Sequence, residues 1–302
     1  MDNLLNKLAL GTVQFGLDYG IANPNGKPAK EKSLEILDFA YENGIRVFDT
    51  ASAYGDAEEI LGEWSQRRGL GGKTKIITKL KPKVLAEGEG GERDIIAANL
   101  RESLKHLKMD FVDGYLFHAP EYIRNDKAVA AMVELKKQGL IKNIGVSIYD
   151  EADAIFAANL KEIDYIQVPY NLFDQRMDKF GFLRLAKKNG KTIFARSAFL
   201  QGLFLMPEDK IPPLLEKAKV YLARMDKIIA KCCLTRQEAA LLFSCGNENI
   251  DYTVFGVDNI SQLREHIKTL ERGKNIAECL EELKNSFDDV EKTVMSPNLW
   301  KK

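Results

Sequence analysis

Eight times along this chain a short apolar run is followed by an amphipathic segment with helical spacing, and no other feature restricts the fold as strongly. The runs are LALGT (8–12), RVFDT (46–50), KIITK (75–79), VDGYLFH (112–118), KNIGVS (142–147), YIQVPY (165–170), TIFARS (192–197) and YTVFGV (252–257). Helical patterns fall near 31–43, 57–68, 92–108, 126–138, 150–158, 177–189, 235–244 and 259–271. Short apolar runs read as buried strands, and stripes at i, i+3, i+4 read as helices packed on a sheet. Eight such units predict an α/β fold, a (β/α)8 TIM barrel, as a single domain over 1–302 with a C-terminal helical extension at about 276–302. A doubly wound sheet would carry a Gly-rich phosphate loop after its first strand, whereas GTVQFG is not GxGxxG and no GxxxxGK[ST] occurs. No Pro/Gly/Ser-rich linker divides the chain, and the Gly cluster at 88–91 lies inside one connection. The connection at about 198–234, with Pro207, Pro212 and Pro213, is long, and in a barrel such loops wall substrate sites.

Charge and composition narrow the partners. Lys plus Arg number 44 and Asp plus Glu number 44, with no basic block, so neither nucleic acid nor an anionic membrane is an expected partner. The start, MDNLLNKLALGT, lacks a charged leader before a long apolar run, and no stretch is apolar for long enough to span a bilayer; a soluble, cytoplasmic protein is expected. Cys232, Cys233, Cys245 and Cys279 show no CxxC spacing, so reduced thiols are expected. His106, His118 and His266 form no HExxH or similar cluster, so no metal site is expected. Oligomeric state is left open.

Barrel chemistry sits at the C-terminal ends of strands. The stretch RVFDTASAYGDAEEILGEW places Asp49 at a strand tip and Tyr54 on the loop beyond it. Alone, these read as a helix cap and a Tyr-Gly loop pair before they read as a site. The other ends supply Lys79, His118, Ser147, Gln167, Arg196 and Ser197. Ionisable side chains gathered at one buried mouth are expensive unless paired. Their types suit one reaction. A tyrosine can protonate a carbonyl oxygen if its phenolate is stabilised, Lys79 held cationic by Asp49 would supply a charge beside it, and His118 could hydrogen-bond the same oxygen. Hydride delivery to a carbonyl carbon follows.

The segments LALGTVQFG, FDTASAYGDAEEILG, ITK, SLKHLKMDFVDGYLFHAP, IGVS, YIQVPYNLF and FGVDNISQLREHI resemble the aldo-keto reductase family, in the family's order and over most of the chain. The resemblance implies a (β/α)8 barrel that binds NADPH, with NADH as the other form, and reduces a small-molecule carbonyl compound. It implies a catalytic tetrad of Asp49, Tyr54, Lys79 and His118, with Tyr54 as proton donor. Cofactor contacts are implied at Gly11, Thr12, Asp49, Ser147, Gln167, Arg196, Ser197, Gly202, Gly256, Asp258, Gln262 and Glu265. Ser147 and Gln167 match the residues that hold the nicotinamide carboxamide, although Ile148 stands where an Asn often follows. Arg196 replaces an aromatic residue on the nicotinamide ring, and its charge is expected to favour the reduced cofactor. Asp258 would repel a 2′-phosphate and accept from a free 2′-hydroxyl, or else cap the helix starting near Asn259; NADPH leads on family grounds alone.

For the remaining residues, Trp64 is expected in its helix's core stripe, His106 on the surface or in helix packing, His266 on a solvated helix face or else brushing the adenine, and Trp300 in a tail docked on the barrel wall or else closing the active site. Two other functions compete with carbonyl reduction. One is a nucleotide-binding sensor barrel with weak turnover. The other uses Lys79 as a Schiff-base nucleophile, which needs a neutral lysine and is opposed by Asp49. The GLDYGIAN and FLQG segments look like those of family members that handle sugar-derived or small aldehydes.

Overall fold

The computed structural model describes residues 4–85, 91–272 and 276–300, so residues 88–90 of the Gly cluster and the last two residues of the tail lie outside the described residues. Eight parallel strands close into a barrel in sequence order: β1 (Leu8–Gly11), β2 (Val47–Asp49), β3 (Lys75–Leu80), β4 (Val112–Phe117), β5 (Ile141–Ser147), β6 (Tyr165–Pro169), β7 (Thr192–Arg196) and β8 (Tyr252–Phe255). Ala9 of β1 faces Val47 of β2 on one side and Val254 of β8 on the other, which completes the ring. Every expected strand is present. The helices match as well, except that the 177–189 pattern splits into Arg176–Lys179 and Phe182–Lys188, where Gly181 takes φ +83°. An L-residue with a side chain resists that left-handed conformation, so the glycine ends one helix and starts the next.

The strands carry two cores. Outward residues meet the helices, as where Phe48 packs 4.9 Å from the ring of Trp64, whose Nε1 donates to Asp38. Full burial of a side chain such as Phe48 stabilises by roughly 2–3 kcal/mol. Inward residues form a separate cluster along the barrel axis: Ala9, Val47, Ile77, Leu116, Tyr165, Phe194 and Val254. The Tyr165 ring fits there because Gly114 carries no side chain: a Cβ on it would lie 3.0 Å from Tyr165 Cδ2. A Cβ on Gly145 would lie 2.7 Å from both Leu116 Cγ and the Tyr165 carbonyl.

At the N-terminal end, carboxylates close the ladder that the strands leave open. Asp113 accepts from the Ile76 N–H at 3.1 Å, Asp164 from Ile144 at 2.8 Å and Asp251 from Ile193 at 2.7 Å. Lys142, Lys136 and Lys187 hold these three carboxylates in turn. Each aspartate at the foot of an even-numbered strand thus satisfies a backbone donor of the strand before it. The register is pinned at this end, and the opposite mouth is left for other work.

The cysteine expectation is overturned. Cys232 and Cys279 form a disulfide, with Cα atoms 6.5 Å apart. The helix Ala277–Asn285 packs on Ala218–Ala230 and brings together two thiols separated by 47 positions, a non-local pairing that no spacing motif announces. Cys245 stays a buried thiol whose pKa burial pushes up to about 11. Trp300 packs against the main core and donates from Nε1 to the Thr293 carbonyl, as a docked tail requires. No described helix is long and apolar enough to cross a membrane.

Because the barrel axis has no spare volume at Gly145, Gly145→Ala is expected to lower stability by about 1–3 kcal/mol through overpacking. Urea unfolding monitored by circular dichroism measures this, and an unchanged midpoint would contradict the packing assigned to this layer.

Candidate active site

Side chains alternate across a strand, so a residue two positions beyond an inward one also points inward. From the interior layer this gives Val47 then Asp49, Ile77 then Lys79, Leu116 then His118, Gly145 then Ser147, Tyr165 then Gln167, and Phe194 then Arg196. One parity therefore serves both the core and the mouth above it.

The centre of the mouth is an ion pair. Lys79, fully buried, donates to both Asp49 oxygens and to the Thr50 carbonyl, each at 2.8 Å. Gln167 Nε2 donates to Asp49 Oδ1, also at 2.8 Å, and the Thr12 hydroxyl bonds the Asp49 carbonyl from behind. Three acceptors are what an ammonium group needs. Burial nevertheless draws the Lys79 pKa below its ordinary value, with Asp49 opposing that shift.

Tyr54 reaches this centre because two glycines let its loop approach the first βα connection. A Cβ on Gly16 would fall 1.7 Å from the Tyr54 carbonyl, and one on Gly55, which takes φ +53°, would fall 2.4 Å from the Gly16 carbonyl. The Tyr54 ring meets His118 edge to face at 5.8 Å between centroids, and Lys79 Nζ lies 5.3 Å from the ring centre.

The charges differ from expectation. The Tyr54 pKa is raised well above its usual value, first by burial and then by Asp49. The cation that acts to lower it is Arg196. Burial, Lys79 and Arg196 together press His118 down to about 3, so its imidazole is neutral, and its buried Nδ1 has no partner among the described residues.

Asp49, Tyr54, His118, Ser147, Gln167, Arg196, Ser197, Gly11, Gly202, Gly256, Asp258 and Gln262 line one cavity of about 750 Å³. Arg196 donates to the Ile148 carbonyl and the Ser197 hydroxyl and lies 4.3 Å over the Tyr149 ring. It makes no ion pair among the described residues. Gly202 takes φ +88°, and a Cβ there would strike Ala22, so the loop after β1 rests directly on the loop after β7. Thr12 and Lys79 lie behind the cavity wall, and Glu265 is exposed and paired with Lys268, outside it.

Two expectations are corrected. The cap of helix Ile260–Glu271 is Asn259, whose side chain accepts from the Gln262 N–H, so Asp258 is not the cap. His266 is buried at 3% exposure rather than on a solvated face, stacked 4.7 Å from Phe199 with Gln237 at its Nδ1. Burial lowers its pKa to about 4. Tyr19, Phe199 and Gln201, which the sequence marks only as parts of the wall segments 15–30 and 198–212, are in the cavity wall, as is Tyr149, which the sequence does not single out. They sit on loops, where no periodicity marks an inward position.

A family model described as the aldo/keto reductase family matches residues 7–284. An uncharacterised oxidoreductase of Bacillus subtilis, YqkF, is 28% identical over 87% of this chain and 90% of its own. An aldo-keto reductase of Strobilurus tenacellus, str7, is 29% identical over 68% of this chain and 61% of its own. The NADH-specific methylglyoxal reductase of Escherichia coli is 26% identical over 74% of this chain and 73% of its own. A solved Pseudomonas aeruginosa structure assigned to the aldo-keto reductases superposes with a TM-score of 0.65 over 89% of this chain and 90% of that one, at 21% identity, which speaks to fold alone.

The two buried imidazoles set a stability dependence. Their folded pKa values, about 3 for His118 and about 4 for His266, lie below the unfolded value of 6.5. Between pH 6.5 and 4 the unfolded chain binds protons that the folded one refuses, so their contribution is present above 6.5 and is lost as pH falls. Burial raises the Glu58 pKa and gives the opposite slope, so the comparison needs a variant. His266→Gln is expected to flatten the fall in urea stability between pH 6.5 and 4; an unchanged slope would rule out a neutral His266.

Proposed function

As the chain belongs to the aldo/keto reductase family, we propose that it reduces an aldehyde or ketone to the alcohol, with a reduced nicotinamide dinucleotide as hydride donor and Tyr54 as general acid. The observation that carries this reading is the convergence of the Tyr54 phenol, a neutral His118 and the buried Asp49–Lys79 pair on one cavity. The residues present fit a dinucleotide. The cavity runs from Tyr54 and His118 to Asp258 and Gln262, and its volume lies within the roughly 300–1,000 Å³ of small-molecule sites. Two residues in its wall, Arg196 and Gln14, also carry buried polar atoms, Nε and Oε1, with no partner among the described residues.

The bound reduced dinucleotide supplies the hydride. The chain's own groups do the rest. His118, held neutral, donates an N–H to the carbonyl oxygen and orients it. Tyr54, protonated at every working pH, gives its proton to that oxygen as hydride reaches the carbon, leaving a phenolate that water reprotonates. Lys79, clamped by Asp49, stays beneath the ring and faces the phenolate charge only as it forms. Ser147 and Gln167, both in the cavity wall, would hold the carboxamide. A Schiff base at Lys79 is disfavoured by its three acceptors. The name of the methylglyoxal reductase relative supports small aldehydes as substrates.

Tyr54→Phe is expected to lower kcat on a generic aldehyde such as a nitrobenzaldehyde by about 10²–10⁴-fold while reduced-cofactor binding is kept. Full turnover by the variant would remove Tyr54 from the role of acid. Binding without wild-type turnover would favour a nucleotide sensor. The Arg196 charge is expected to make the reduced cofactor bind more tightly than the oxidised form; equal or tighter binding of the oxidised form in a fluorescence titration would count against it.

A further inference from the structure

We propose that the cavity selects the unphosphorylated dinucleotide, NADH, over NADPH, and that Asp258 is the discriminating residue. This rests on the reductase reading above and extends it. With hydride chemistry at Tyr54 and His118, the adenosine half must lie toward the other end of the cavity, which is lined by Gly256, Asp258, Gln262 and His266 beyond β8. NADH and NADPH differ there only at the ribose 2′ position, which is a hydroxyl donor in one and a phosphate dianion in the other.

Asp258 is half-buried and held in place. Its N–H donates to Gln262 Oε1 at 2.7 Å, and Gln262 Nε2 returns a bond to Asp258 Oδ2 at 3.3 Å. Oδ1 has no partner among the described residues. Since Asn259 caps the following helix, the carboxylate has no capping task. Burial raises its pKa and only the Gln262 amide opposes, so no cation compensates this charge.

No cation pairs with Asp258 among the described residues. Arg264 lies over the Phe39 ring at 4.7 Å and is not in the cavity wall. The cationic side chains in the wall are Arg196, at the end of β7, and Lys210, on the loop after it beside Asp209. A 2′-phosphate would therefore meet a partly desolvated like charge. A 2′-hydroxyl would donate to the free Oδ1, a charge-assisted bond of the kind by which an acidic residue recognises a ribose hydroxyl. Family resemblance alone favours NADPH, and this geometry points the other way.

The test is a titration of the full chain with NADH and with NADPH, following nicotinamide fluorescence, for wild type, Asp258→Asn and Asp258→Arg. Wild type is expected to bind NADH at least about tenfold more tightly, the scale of one charge-assisted hydrogen bond. Asp258→Asn, an isosteric change that keeps a partner for Gln262, is expected to bring the two Kd values toward parity, and Asp258→Arg to invert them. Wild-type preference for NADPH, equal affinities, or an NADH preference that neither substitution moves would overturn the proposal. If wild type binds neither dinucleotide, the reductase reading itself fails and this inference with it.

Discussion

The buried ion pair of Asp49 and Lys79 is the interaction on which the mouth of the barrel depends. An ammonium with no solvent exposure is tolerable only where its donors are all met, and here two carboxylate oxygens and a backbone carbonyl meet them. The pair ties β3 to the end of β2, while Gln167 of β6 bonds the same carboxylate from across the barrel. Removing either partner would strand a charge in a closed space, at a typical cost of about 3–5 kcal/mol. Such a pair adds little net stability over apolar packing, so its presence calls for a reason beyond stability.

Parity connects that pair to the core. The barrel axis is filled by inward residues at one level, and the next inward residues along the same strands are those of the site. A shift of one residue in any strand would turn an axial side chain toward the helices and its site residue with it. The carboxylates at the N-terminal end, Asp113, Asp164 and Asp251, each bond a neighbouring strand's backbone. By pinning register there, they govern the alignment of side chains at the opposite end.

This also explains what could be read from the sequence. Strand ends are local features, marked by an apolar run that stops at a polar residue, so Asp49, Lys79, His118, Ser147, Gln167 and Arg196 stood out before any coordinates. Tyr54 is legible only together with the other strand ends and the resemblance, since a Tyr-Gly pair after a strand reads alone as a loop. What stayed hidden depends on chain segments distant in sequence. His266 lies on an amphipathic helix like any surface residue, and Phe199, Phe255 and Gln237, arriving from three other segments, pack against it. Cys232 finds Cys279 only because two helices pack. Gly16 gave no signal at all, since its need for a hydrogen in place of a side chain arises from Tyr54, 38 positions away along the chain.

The electrostatics complete the connection between core and chemistry. Burial pushes two groups at the mouth toward their neutral forms: the Tyr54 phenol up, the His118 imidazole down. Charge survives where it is paired, in Asp49 with Lys79, and in Arg196, which rests on a ring and a carbonyl instead of an acid. Arg196 acts on both neutral groups in the direction that suits a reduction, lowering the Tyr54 pKa and helping to keep His118 unprotonated. A site composed in this way would hold an uncharged carbonyl without strong attraction in the ground state. On the proposed reduction its response would grow only as negative charge develops on oxygen, with a fixed guanidinium and a clamped ammonium already in place.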